Sequence, residues 1–379
     1  MKIRFKKVIN IIISFSFIGV MLFFAISGIF LPDTEISYSE RRKLAEFPEF
    51  SVEKLLKKDI NGKGYFDALE KYLLDQFIAR DSFRTLNVAT RRCLFMQKDV
   101  NDIFTLNDRI FKMEYKLNEK AVERTADIYL KVINKYFSNN NANVYYTIVP
   151  DKNYYSAEAS GYLSLDYDRM FSIMNEKLSG YNYIDIRGEL TENDYYRTDL
   201  HWKQEKLFGV ANKLLDSMGE AGNIKPDDYE YEIYEGFRGA YYGQAALPIE
   251  PDSLIYLTNN EIKNCKVFDY ESGKCIDIYA KEKLGTVDTY DVFLHGPRAI
   301  ITIENPSCTN GKELIIFRDS FGSSLAPLLL SAYSKITLLD IRYVSSSNLG
   351  RFIEFSENCD VLFMYNTGTL NTLGQGSIS

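Results

Sequence analysis

The 379-residue chain carries 52 acidic against 45 basic side chains, a formal net charge of −7, with 46% hydrophobic and 14% aromatic residues. This composition supports a large folded core and excludes a disordered chain. The acidic balance, with no basic stripe beyond the extreme N-terminus, argues against nucleic acid as a partner. Tyrosine and phenylalanine (28 and 25) far outnumber the single tryptophan, and tyrosine-rich surfaces suit sugar rings, a weak pointer to carbohydrate.

Lys2, Arg4, Lys6 and Lys7 form a basic segment at 1–7, and an uncharged apolar stretch follows at 8–31. At about 1.5 Å per helical residue this stretch crosses a hydrocarbon core of roughly 30 Å. It predicts a single-pass membrane anchor, with the positive flank cytoplasmic and everything after it extracytoplasmic. A cleaved signal peptide is the competing reading, and Ala25-Ile26-Ser27 is a poor cleavage site for it. The five cysteines make no metal-type cluster. Cys265 and Cys275 flank a turn at Glu271-Ser272-Gly273, which leaves two readings open: a hairpin disulfide in an oxidising compartment, or scattered thiols.

A polar stalk follows the anchor, and 52–92 reads as helical, with Leu69, Leu73, Leu74 and Phe77 on one face assigned to packing. Together 32–102 form a stalk and helical region, and the main domain spans 103–379. Short strands are expected around a turn at Asn107-Asp108, then a helix over 119–137, a central strand over 143–150, a helix over 167–178 and a short strand at 183–186. The alternation predicts an α/β fold: a mainly parallel sheet flanked by helices, with loops at its carboxyl edge assembling any site. A β-rich insertion is expected at about 224–288. Its Tyr234, Phe237, Tyr241 and Tyr242 are either a polymer-binding lip or packing.

Two stretches carry chemistry. In Tyr195-Tyr196-Arg197-Thr198-Asp199-Leu200-His201-Trp202, an Asp and a His two apart precede an amphipathic helix. Such an Asp can fix the imidazole tautomer while the other ring nitrogen faces a hydroxyl. Asp-x-His triplets are common, and many histidines are only satisfied polar groups. In the second stretch, a strand pattern at 314–317 meets a helical pattern at 325–330, with Arg318, Asp319, Ser320, Phe321 and Gly322 between them. Ser320 on that strand-to-helix turn is displayed as a nucleophile would be. The chain has two histidines, so His295, at the end of a strand pattern at 290–295, is the other candidate base; it ranks as structural or substrate-contacting. Arg342, just past a strand at 335–340, is a minor candidate for an anionic substrate or an oxyanion. No metal site and no nucleotide-binding glycine pattern is present, so no cofactor is expected.

These motifs resemble the DHHW family, SGNH-hydrolase-like proteins related to the alginate O-acetyltransferases of bacterial exopolysaccharide systems. The resemblance rests on the Asp-Leu-His-Trp stretch at 199–202, Val292-Phe293-Leu294-His295-Gly296, the serine-bearing turn and Ile336-Thr337-Leu338-Leu339-Asp340. It departs at Leu200, which stands where the name motif has its first histidine. It implies an SGNH-like fold, and a catalytic triad of Ser320, His201 and Asp199 in which the Asp-x-His pair precedes the serine. The activity it implies is O-acetylation of a cell-surface or secreted polysaccharide, with a polytopic membrane acyltransferase as donor partner. Apart from the resemblance, the residues themselves make Arg342, Tyr241 and His295 the candidate substrate contacts. A carbohydrate esterase using the same triad, and a noncatalytic polysaccharide-binding or assembly protein, are the alternatives.

Overall fold

The basic N-terminus and the uncharged run behind it fold as one helix, Lys2–Phe30, whose Lys6–Gly28 is long and apolar enough to cross a membrane. The computed structural model describes residues 2–56 and 64–373; the part of the helical expectation at 57–63 lies outside them. The chain divides into two units, Met1–Val100 with Gly243–Pro248, and Asn101–Tyr242 with Ile249–Ser379.

In the first unit, strands β1 (Ile36–Ser37) and β2 (Arg42–Lys43) pair antiparallel, and helices run over Val52–Leu56, Tyr65–Asp75 and Arg80–Ala89. Leu73 and Leu74 do not take the packing role expected of them: both are exposed, and Tyr72 and Asp75 turn inward instead, while Phe77, 41% exposed, stacks on Phe24 with ring centroids 5.1 Å apart. The reason is ionic. Asp75 accepts from Arg42 at 2.8 and 2.6 Å and from the Ala45 N–H at 2.9 Å, and the Tyr72 hydroxyl donates to Asp33 at 2.8 Å.

In the second unit, β3 (Ile103–Leu106) and β4 (Arg109–Lys112) form the expected hairpin, with positive φ at Asn107 and Asp108 as a tight hairpin turn requires. The remaining strands are β5 (Asn143–Val149), β6 (Asn182–Tyr183), β7 (Glu230–Phe237), β8 (Asp252–Thr258), β9 (Lys266–Asp269), β10 (Lys274–Ile276), β11 (Ile300–Glu304), β12 (Glu313–Arg318), β13 (Lys335–Leu339) and β14 (Asp360–Asn366). One eight-stranded sheet has the order β10-β9-β11-β13-β12-β14-β5-β6. The run from β13 to β6 is parallel, and β11, β9 and β10 extend it antiparallel.

Side-chain alternation builds two cores on this sheet. Leu314, Ile316, Leu338 and Met364 face helix Phe208–Ser217 and the segment after Ser320. Ile315, Phe317, Val361 and Phe363 face helices Glu119–Tyr136 and Tyr167–Lys177. Each such side chain, fully buried, contributes about 1.5–3 kcal/mol, so strand β12, buried on both faces, is held rigidly where it delivers Ser320.

Three local readings resolve as follows. The stretch at 224–288 is only partly an insertion: β7 and β8 make a separate ribbon, while β9 and β10 complete the main sheet. Phe237 is a core residue, edge-on to Tyr196 at 5.0 Å, and not part of a lip. Cys275 stands opposite Phe268 in the β9–β10 register, and all five cysteines are free, so the hairpin forms without a disulfide.

Candidate active site

Strand β12 lies between β13 and β14, and its carboxyl end feeds a short helix, Ser320–Leu325. Asp319 caps this helix: Oδ1 accepts from the Phe321 N–H at 3.1 Å. Its Oδ2 accepts from the Asn366 N–H and the Thr369 hydroxyl, both at 2.8 Å, tying the turn to the end of β14. Ser320 is thereby placed at the first helical position, above the carboxyl edge of the sheet.

The Asp-x-His stretch reaches the same edge as a closed loop. Tyr195 and Trp202 bridge across its base, and the Tyr196 N–H donates to the His201 carbonyl at 3.1 Å. His201 Nδ1 lies 2.6 Å from Asp199 Oδ1, and Nε2 lies 2.7 Å from Ser320 Oγ. With Nδ1–H donating to the carboxylate, Nε2 is the acceptor for the serine proton. The imidazole stacks on the Tyr290 ring at 3.8 Å between centroids, with 7° between planes, which fixes its orientation.

Asp199 is fully buried, which by itself would raise its pKa. The His201 ring, its hydrogen bond and the N–H groups of Ala240 (2.6 Å) and His201 (2.9 Å) outweigh burial and hold the carboxyl well below the usual range. It is therefore an anion at neutral pH, able to stabilise an imidazolium. Close approach of the neighbouring chain depends on Gly239, where a Cβ would stand 2.3 Å from Asp199 Cβ.

Reading the sequence did not find the residues that hold this loop. Asp252 accepts from the N–H groups of Arg197 and Thr198 at 2.9 and 2.8 Å. Lys152, at the carboxyl end of β5, is buried and donates to the carbonyls of Asp199 (2.7 Å), Tyr196 (3.0 Å) and Arg197 (3.4 Å). Burial draws its ammonium down to about 7, against the upward pull of Asp199 and Asp252. Trp202 donates to Ser324 Oγ at 2.9 Å and the Phe321 carbonyl at 3.2 Å, joining the histidine loop to the serine helix. The position of Lys152 just past a central strand was the available signal, but nothing local says what its ammonium meets.

The other candidates lie differently. Tyr241 is part of the loop's support: its N–H donates to the Thr198 carbonyl at 3.0 Å, and its ring lies 5.3 Å from Lys152 Nζ. Arg342 is held by the buried Asp340, at 2.6 and 2.9 Å, in a pair that occupies its guanidinium. His295 contacts the Asp277 carbonyl at 2.9 Å and Glu282 at 3.5 Å. The strand expected at 290–295 is a 3₁₀ turn, Thr289–Val292, followed by positive φ at Leu294 and His295, which ends any extended run. The two backbone N–H groups that follow Ser320 are already engaged: the Phe321 N–H donates to the Asp319 carboxylate, and the Gly322 N–H to the Asp319 carbonyl at 3.1 Å. Among the described residues no group of three or more potential metal ligands occurs.

A family profile described as DHHW protein matches residues 126–339. No curated protein matches the chain. Among solved structures, a DHHW family protein from Eubacterium siraeum superposes with a TM-score of 0.59 at 21% identity, covering 72% of this chain and 93% of that one. Bacillus cereus PatB1 gives 0.56 at 18% identity, over 71% of this chain and 96% of its own. PatB1 with a sulfonyl adduct gives 0.53 at 18% identity, over 71% and 97%. At these identities the likeness is one of fold.

Proposed function

Because this chain belongs to the DHHW protein family, whose profile spans more than half of it, we propose that it is a membrane-anchored extracytoplasmic O-acyltransferase that acetylates a polysaccharide. The observation that carries the reading is the relay from Asp199 through His201 to Ser320, at 2.6 and 2.7 Å. His201 takes the serine proton as Oγ attacks the acyl donor, and the imidazolium is stabilised by the buried Asp199 anion. The tetrahedral oxyanion falls to the N–H of Ser320 itself. The leaving group departs with the proton from His201, giving an acyl-serine. A sugar hydroxyl, deprotonated by His201, then takes the acyl group and restores the free serine. A polytopic membrane acyltransferase supplies the acyl group on the outer side, where the helix Lys2–Phe30 keeps this chain beside its donor.

The test is incubation of the full chain with an activated acetyl ester, with and without oligosaccharide. Acetylated oligosaccharide is expected, and its loss in Ser320→Ala and His201→Ala. Free acetate alone under both conditions rules out transfer. Unchanged turnover in both variants rules out the relay.

A further inference from the structure

The first unit is built with its polarity reversed. In helix Tyr65–Asp75 and the turn after it, Leu73, Leu74 and Phe77 are 57%, 62% and 41% exposed, and the carboxylate of Asp75 is buried. Helix Arg80–Ala89 repeats the pattern: Phe83 and Leu86 are 44% and 60% exposed, while Arg80 and Arg84 turn to Glu40 at 2.8 and 3.3 Å. The π-helical turn Thr90–Leu94 continues the apolar side with Leu94, 71% exposed. A water-facing helix pair has charges outside and leucines inside; here the inward side carries the ion pairs instead, with Asp75 buried and Glu40, Arg42, Arg80 and Arg84 partly so. Exposed apolar area on this scale marks an interaction surface.

The helix Lys2–Phe30 identifies the occupant. Its Phe24 stacks on Phe77 with ring centroids 5.1 Å apart and meets Phe83 edge-on at 5.8 Å. The exposed face is thus continuous with the apolar surface of the candidate membrane span Lys6–Gly28. Phe24 is six residues before the helix ends, about 9 Å along its axis. That matches the roughly 5–10 Å to which an interfacial helix sinks its apolar side.

We propose that helices Tyr65–Asp75 and Arg80–Ala89 lie in the outer membrane–water interface, their Leu74 and Leu86 face immersed in lipid, so that the chain is held by a span and an interfacial foot together. This rests on the reading of Lys2–Phe30 as a membrane anchor, and the experiment separates the two. The full chain, reconstituted in vesicles, receives one new tryptophan at a time: Leu74→Trp, Leu86→Trp and Phe17→Trp in the anchor. Fluorescence in bilayers of lipids brominated near the headgroup is compared with unbrominated bilayers, and the signal of the parent, with its fully buried Trp202, is subtracted. Immersion predicts about two-fold or greater quenching at positions 74 and 86 by lipids brominated near the headgroup. Quenching at position 17 by deep-brominated lipids, without quenching at 74 and 86, overturns the interfacial foot and leaves the anchor standing. No quenching at position 17 overturns the anchor. Protection of 74 and 86 from aqueous iodide only when a second membrane protein is present assigns the face to that protein and also overturns the proposal.

Discussion

Replacing Lys152 by methionine tests how the histidine loop is held. In the folded chain its ammonium has exchanged water for three carbonyls at 2.7, 3.0 and 3.4 Å, and burial leaves it titrating at about 7. Unfolded, a lysine titrates near 10.4. The unfolded state therefore binds more protons between these values, and stability rises with pH across that window. Below about pH 7 the full cost of charging the buried group is present; by about pH 9 part of it has been relieved. Integrating the linkage gives a gain of about 2 kcal/mol between those two pH values from this one residue. Urea unfolding of the parent and of Lys152→Met at both pH values reads it directly: the parent gains about that much, and the variant loses this component. The variant also leaves the Tyr196 and Asp199 carbonyls without this donor, at about 1–3 kcal/mol each if they stay dry, while the Arg197 carbonyl keeps the Ile110 N–H at 2.8 Å; acyl transfer falls as His201 loses its fixed position. An identical pH dependence in parent and variant would refute the assignment of Lys152 as a buried, carbonyl-held group.

Asp199→Asn inverts the hydrogen-bonding partner of His201 Nδ1 and removes the anion facing it. The rate is expected to fall by about 10⁴-fold, the size associated with a mis-set triad tautomer, while the fold survives; a loss below about tenfold contradicts the role given to Asp199. Gly239→Ala places a methyl 2.3 Å from Asp199 Cβ, so kcat should fall by about 10²-fold through displacement of the carboxylate, measured beside an unchanged circular dichroism spectrum. Trp202→Phe removes the donor to Ser324 Oγ and the Phe321 carbonyl; a loss of about 2–4 kcal/mol is expected from urea midpoints.

What could be read from the chain follows the range of the forces involved. Strands such as β12 and β14 are apolar on both faces, and that pattern is local, so their place in a covered parallel sheet was legible. Ser320 was legible because a strand meets a helix at that point. The pairing of His201 with Ser320, 119 residues apart, came from having only two histidines to choose between and from the family resemblance, not from spacing. Lys152 stayed hidden because its partners are main-chain carbonyls some 44–47 residues away, which carry no residue identity. Helical periodicity grouped Leu73, Leu74 and Phe77 correctly but could not say which way the group faces, since an ion-pair cluster took the inner side. At 290–295 the apolar alternation imitated a strand, and left-handed backbone at Leu294 and His295 overrode it.

In the proposed reaction Ser320 carries the acyl group. Mass spectrometry of the full chain after brief exposure to an activated acetyl ester, with peptide mapping, tests it most directly. One acetyl group per chain is expected, on Ser320, absent from Ser320→Ala, strongly reduced in His201→Ala, and discharged when a sugar acceptor is added. An acetyl group that forms elsewhere, or forms on Ser320 equally well without His201, contradicts it.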